Sequence, residues 1–259
     1  MVSLSIKAGD KMDVLKTPRE VLVKSNIIHD FDEAIVENNL RGCYGKIMAR
    51  FYDKIIDCYI KGGNAIDCGC GFGLFSSRAI RKGMNVTSID IDSKSLGIAE
   101  RIYNIPCRKE SIYKTSLSDK SQDAAIFFDV IEHLVIDDLY PELNRLGITQ
   151  VIVYDSNLQN PFLNVFRYLA GHKEYHECLP SHVAKKFIDG GFRLVSRKYE
   201  NIISLPISGG LVRKPVPFIS RFYGFVYYLD RIIEAIFRFL CIDRFFCFRY
   251  LFIFERDKK

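Results

Sequence analysis

The stretch "DCGCGFG" (67–73) sets one acid before three alternating glycines, Gly69, Gly71 and Gly73, with Cys68 and Cys70 between them. Glycines without side chains let a ligand lie close against the backbone. On residue types alone the loop could cradle a dinucleotide diphosphate, seat another nucleotide-like cofactor, or offer a thiol pair to a metal. A dinucleotide fingerprint needs Gly-x-Gly-x-x-Gly. Counted from Gly69, its third glycine position is Leu74, so the spacing fails. A structural zinc site wants two ligand pairs, and no second cysteine pair stands at such spacing, so Cys68 and Cys70 read as small packing residues. Asp67, at the end of an apolar run, suits a positively charged group better than a diphosphate. Asp90 ends the next apolar run 23 residues later, where a carboxylate can accept hydrogen bonds from a ribose diol.

A second group lies downstream. In "FFDVIEHL" Asp129, Glu132 and His133 stand at i, i+3 and i+4, one face if the segment is helical. "GHKEYHECLP" adds His172 and His176. Imidazole titrates near working pH, so these histidines are candidate general bases for an acceptor hydroxyl.

The elements that must hold these residues alternate from Asn64 onward. The runs "NAIDC" (64–68), "NVTSID" (85–90), "DAAIFF" (123–128) and "ITQVIVY" (148–154) are separated by helical stretches. Near-continuous apolar strands between helices argue for parallel β-α units with both sheet faces covered. "SHVAKKFIDGGF" reads as a helix stopped at Gly190-Gly191, "RLVSRKYE" as a strand, and "FRYLFIFER" as a last strand at or near a sheet edge. The expected architecture is α/β: a Rossmann-like, seven-stranded, mostly parallel sheet with helices on both faces. Residues 1–63 form an N-terminal helical extension or lid, and 64–259 the main domain, with a helical cap insertion at about 201–246.

Together "AIDCGCGFG", "VTSIDID", "CRKES" and "DAAIFFDVIEHL" resemble, in order and interval, the four motifs of the class I S-adenosylmethionine-dependent methyltransferases, of the type 11, ubiquinone-biosynthesis-like subgroup. The resemblance covers residues 64–200. It implies S-adenosylmethionine as cofactor, with Gly69, Cys70, Gly71 and Gly73 forming the loop against its methionine part and Asp67 near the amino group. It further implies Asp90 on the ribose hydroxyls, Ile91 against the adenine, Glu110 and Ser111 at the adenine edge, and Phe128 beside the methyl group. Asp129, Glu132, His133 and His172 match the ligand positions of two metal-using branches, the ubiquinone-biosynthesis O-methyltransferases and the RNA 3′-end methyltransferases. The shorter Asp at the first position and the wide occurrence of Glu-His-Leu without metal make no metal the expectation. His172, His133 and His176 are the candidate catalytic residues, and "DSN" suggests Asn157 for the acceptor pocket.

Composition separates the C-terminal quarter from the rest. Residues 193–259 hold 13 Lys/Arg against 6 Asp/Glu, and 14 of the 34 Phe/Tyr lie between Pro215 and Phe254. No apolar run there reaches the roughly 18 residues of a spanning helix. Arg231, Glu234 and Arg238 share one helical face; Ile232, Ile233, Ile236, Phe237, Phe239 and Leu240 cover the remainder. This region reads as a cap over the acceptor pocket, packed on the core or another subunit, or as an interfacial helix on a membrane. The aromatics sit among Ile and Leu at core-like density, which favours a lipophilic acceptor over nucleic acid. With no apolar leader in "MVSLSIKAGDKMDVLKTPRE" and no paired cysteine framework, the expected location is cytoplasmic, at most at the inner face of a membrane. The expected activity is O-methylation of a small or lipophilic acceptor. The competing readings are an RNA methyltransferase and a non-catalytic cofactor-binding subunit.

Overall fold

A computed structural model describes residues 31–257 apart from 62, 170–178, 211–215 and 217–218. His172 and His176 lie outside the described residues. Among the described residues two helices come first, α1 (Glu33–Arg41) and α2 (Cys43–Tyr59). Asp32 starts α1 by accepting from the N–H groups of Ala34 and Ile35. In α2, Ile47, Met48, Phe51, Tyr52, Ile55 and Ile56 recur at helical spacing, and all six are buried against the sheet.

The alternating part follows as β1 (Asn64–Cys68), α3 (Leu74–Arg81), β2 (Asn85–Asp90), α4 (Ser93–Tyr103), β3 (Cys107–Lys109), β4 (Ala124–Phe128), α5 (Tyr140–Leu146) and β5 (Gln150–Ser156). Then come α6 (Pro161–Leu169), α7 (Pro180–Asp189), β6 (Arg193–Glu200), α8 (Ser204–Ser208), α9 (Tyr223–Phe239), α10 (Asp243–Phe246) and β7 (Arg249–Glu255). The seven strands form one sheet in the order β3-β2-β1-β4-β5-β7-β6. Strands β1 to β5 are parallel, while β7 runs antiparallel to both β5 and β6. This is the seven-stranded, mostly parallel, Rossmann-like arrangement read from the sequence. The last strand lies one place in from the edge, and β6 is the edge strand. Their burial shows why: every interior residue of β7 is buried, whereas β6 alternates exposed and half-buried positions until its final two residues.

Two apolar layers cover the sheet. Helices α1 and α2, with Phe75 and Ala79 of α3, fill one face, and Leu143 and Leu146 of α5 with Val183, Ala184 and Phe187 of α7 fill the other. The insertion between β6 and β7 packs on α2, where Tyr227 meets Phe51 at 5.1 Å and the Arg50 guanidinium lies over the rings of Tyr223, Tyr227 and Tyr228. Among the described residues no helix is long and apolar enough to cross a membrane.

The register explains how the distant β7 reaches the site. Arg249 pairs with Ser156 at the C-terminal end of β5. The antiparallel strand therefore begins at the end of the sheet where β1, β2 and β4 finish.

Candidate functional site

At that end of the sheet a cavity of about 300 Å³ opens between β1, β2 and β4. Strand order reverses between β1 and β4, the switch point where ligands of open α/β sheets bind. Nine of the ten residues expected to hold a cofactor line it: Asp67, Gly69, Cys70, Gly71, Asp90, Ile91, Glu110, Ser111 and Phe128. Gly73 does not; it is the left-handed N-cap of α3, and a Cβ there would press on Ala99 and Ile105.

The three loop glycines differ in what they leave room for. All have positive φ. At Gly69 a Cβ would strike Val130 at 2.5 Å, so that glycine serves internal packing. At Gly71 a Cβ would meet nothing within 4 Å. Only there does the bare backbone face open space on the cavity side.

Asp90 organises this loop. Its Oδ2 accepts from the Gly71 N–H at 2.8 Å and its Oδ1 from the Asp92 N–H at 2.8 Å. Burial nonetheless raises its carboxyl above the ordinary range, and the two backbone bonds only partly offset this. Asp67 is buried at the end of β1, where the Ser76 hydroxyl donates to its Oδ2 at 2.5 Å and the Ser88 hydroxyl donates in turn to Ser76. Loss of hydration pushes Asp67 up to about 7, the Ser76 bond opposes this, and the charge of Asp90 adds to it.

Five carboxylates (Asp67, Asp90, Asp92, Glu110, Asp129) and no Lys or Arg line the cavity among the described residues. Three are committed elsewhere. Asp92 caps α4. Glu110 accepts from the N–H and hydroxyl of Ser116, so its carboxylate is turned toward that loop. Asp129 forms an ion pair with the Arg249 guanidinium. Asp67 and Asp90 also carry internal hydrogen bonds, but they are the two that stand at strand ends beside the glycine loop, and a cationic nucleoside-like ligand suits them.

The other end of the cavity is aromatic. The Phe128 ring stacks on Tyr52 with centroids 5.1 Å apart and meets Phe75 edge-on at 4.6 Å. Leu40, Tyr44, Leu134 and His133 also line the cavity, as do Phe31 and Phe72, which pack edge-to-face at 5.2 Å. Tyr44 and Tyr52 come from α2 and Phe31 from the residues just before α1, a stretch that no motif marks as site-forming.

Two sequence expectations need correction. Asp129, Glu132 and His133 do not share a helical face, because Asp129 sits at φ +56° after β4 and only Ile131–His133 makes a single 3-10 turn. Asp129 and His133 line the cavity and Glu132 does not. Among the described residues no three His, Cys, Asp or Glu side chains group as a metal site; His172 lies outside them. Asn157 is no part of the cavity wall. It is fully buried, and its amide donates to the carbonyls of Arg244 and Cys247, tying the end of β5 to the approach of β7. Among its described residues the insertion at 201–246 contributes none to the cavity wall.

Comparison with known proteins agrees with this fold. Residues 66–150 match the family model described as a methyltransferase domain. An uncharacterized methyltransferase of Mycobacterium tuberculosis (strain ATCC 25618 / H37Rv) is 34% identical over 101 residues, 37% of this chain and 50% of that protein. The chain thus matches about half the length of that curated relative. A solved SAM-dependent methyltransferase from Archaeoglobus fulgidus shares the fold with a TM-score of 0.60 at 18% identity, covering 85% of this chain and 97% of that one. Geranyl diphosphate C-methyltransferase from Streptomyces coelicolor A3(2) shares it with a TM-score of 0.52 at 13% identity, covering 82% and 77%.

Proposed function

We propose that this chain, whose residues 66–150 match a methyltransferase-domain family model, transfers a methyl group from S-adenosylmethionine to an oxygen of a small or lipophilic acceptor. The observation that carries the reading is the placement of Asp67 and Asp90 at the ends of adjacent strands, with the open backbone of Gly71 beside them. When bound, S-adenosylmethionine supplies an electrophilic methyl on a sulfonium. Asp90 holds the ribose hydroxyls, the Gly69–Gly71 backbone and Asp67 hold the methionine part with its amino group, and Ile91 lies against the adenine. Cys70 lines the loop, and Ser111 with the Glu110 backbone borders the adenine edge.

The acceptor end is formed by Phe128, Tyr52, Tyr44, Leu40 and Leu134, which exclude water and favour an apolar substrate. His133 lines the same cavity. In the proposed step it takes the acceptor hydroxyl proton while the new O–CH₃ bond forms and the C–S bond breaks, leaving a neutral thioether. Alignment of the two reacting groups supplies much of the rate. An aromatic wall of this kind and the isoprenoid substrate named for the Streptomyces neighbour both support a lipophilic acceptor.

Tritiated donor offered with a panel of phenols, prenyl alcohols, amines and carboxylic acids tests the acceptor class. An O-methyl product from a phenol or prenyl alcohol is expected. Transfer to nitrogen or carbon alone would overturn the oxygen assignment.

Gly71→Ala separates ligand contact from folding. The new methyl meets no protein atom, so the only fold cost is the left-handed backbone, about 1 kcal/mol. It does enter the space assigned to the ligand. Affinity for S-adenosylhomocysteine should fall roughly tenfold, equivalent to about 1.4 kcal/mol, while the melting temperature drops by only about 2–4 °C; calorimetry and a thermal melt read the two.

A further inference from the structure

Helix α9 buries Val226 and packs Tyr223 and Tyr227 on the core, and it turns both of its acids inward beside them. Asp230 accepts from the N–H groups of Ile202 and Ile203 at 2.9 Å each and of Ser204 at 3.2 Å, and Glu234 accepts from the Asn201 N–H at 2.7 Å. Arg231 joins Glu234 at 2.5 Å and Glu200 at 3.1 Å. These bonds fix the rotation of the helix. Rolling it to bury its apolar side would strand two carboxylates and the four backbone donors they serve.

The outward side therefore stays apolar. Phe225, Tyr228, Ile232, Ile236 and Phe239 follow one another at intervals of three or four residues, each between 50% and 86% exposed. They form one stripe on order of 20 Å long. Beyond it Phe246 touches both Phe237 (5.1 Å) and Phe162 (6.1 Å), so the apolar surface runs on to Phe162 and Val165 at the start of α6. Single exposed apolar side chains are ordinary, but a continuous field of them marks an interaction surface.

The charges indicate what covers it. Among the described residues of 219–246 and 161–165, the exposed charged side chains are Arg221, Arg238 and Arg244, standing toward the two ends of α9. No acid is exposed there. An aromatic and aliphatic stripe bordered by arginines complements the headgroup region of an anionic bilayer. A second copy seated stripe on stripe about a two-fold axis would bring arginines against arginines.

We propose that the outer face of α9, continued by the start of α6, docks this protein on an anionic lipid surface. The test is flotation of the full chain with vesicles of phosphatidylglycerol and phosphatidylcholine mixed in equal parts, and with phosphatidylcholine alone. The wild-type chain should float with the anionic vesicles and much less with the neutral ones. The double variant Ile232→Glu, Phe239→Glu changes two outward side chains without touching the inward bonds, and should lose roughly tenfold or more in partitioning while its circular dichroism is unchanged. Absence of flotation with anionic vesicles, or undiminished flotation of the double variant, would overturn the proposal. So would a stable dimer that the double variant dissociates, since the face would then be covered by another copy. No methyl donor is present in this assay, so its failure is distinguishable from failure of the proposed activity.

Discussion

Asp90→Ala should weaken S-adenosylhomocysteine binding about a hundredfold. The carboxylate is proposed to accept from both ribose hydroxyls, and hydrogen bonds to a charged group contribute about 1.5–3 kcal/mol each. Loss of the pair, discounted for water that refills the site, gives about 3 kcal/mol, close to a factor of a hundred. The fold should survive. Burial already raises the Asp90 carboxyl above its ordinary range, so removing the charge relieves a desolvation cost while it releases the N–H groups of Gly71 and Asp92. Asp90→Asn keeps one acceptor oxygen and should fall between alanine and wild type. Calorimetry on the three chains reads this order; equal affinities would remove Asp90 from the ribose.

The second large effect is a pH dependence set by Asp67. Its carboxyl titrates near 7 in the folded chain against an ordinary value of 3.8. Between those values the folded state binds a proton that the unfolded state has released, so stability without ligand falls as pH rises through that window and levels off above about 7. The full span is roughly 4 kcal/mol at about 1.4 kcal/mol per pH unit. Asp67→Asn, which preserves shape and cannot ionise, should flatten the curve and exceed wild type in urea-unfolding stability at pH 8. Ligand affinity should move the other way. An ammonium group requires the ionised carboxylate, so wild-type affinity for S-adenosylhomocysteine should climb from pH 6 to pH 8, whereas Asp67→Asn should bind roughly thirtyfold more weakly at pH 8 and show little slope. A wild-type stability curve that rises with pH over this window, or an Asn variant that binds as tightly as wild type, would contradict the role given to Asp67.

The strands and the glycine loop were legible because their signals are local. Continuous apolar runs mark β1, β4 and β5, and Asp67, Asp90 and the glycines stand at fixed distances from strand ends. What escaped the sequence depends on partners far along the chain. The inward face of α9 is chosen by backbone N–H groups at 201–204, some thirty residues before the acids that cap them, and no helical periodicity reveals that choice. Asn157 resembles an acceptor-pocket residue by position, yet its partners are carbonyls of residues 244 and 247. Glu110 reaches the cavity but is claimed by Ser116. The one-face reading of Asp129, Glu132 and His133 assumed a helix that the left-handed Asp129 prevents. Tyr44 and Tyr52 carry no motif; an amphipathic helix directly before β1, with tyrosines on its buried side, is the only trace they leave in the sequence.

The most direct test of the central claim is titration of the unmodified full chain with S-adenosylhomocysteine in a calorimeter at pH 8, with NAD as the control ligand. Saturable one-to-one binding of S-adenosylhomocysteine and none of NAD is the predicted result. Absence of S-adenosylhomocysteine binding, or a preference for the dinucleotide, would contradict it.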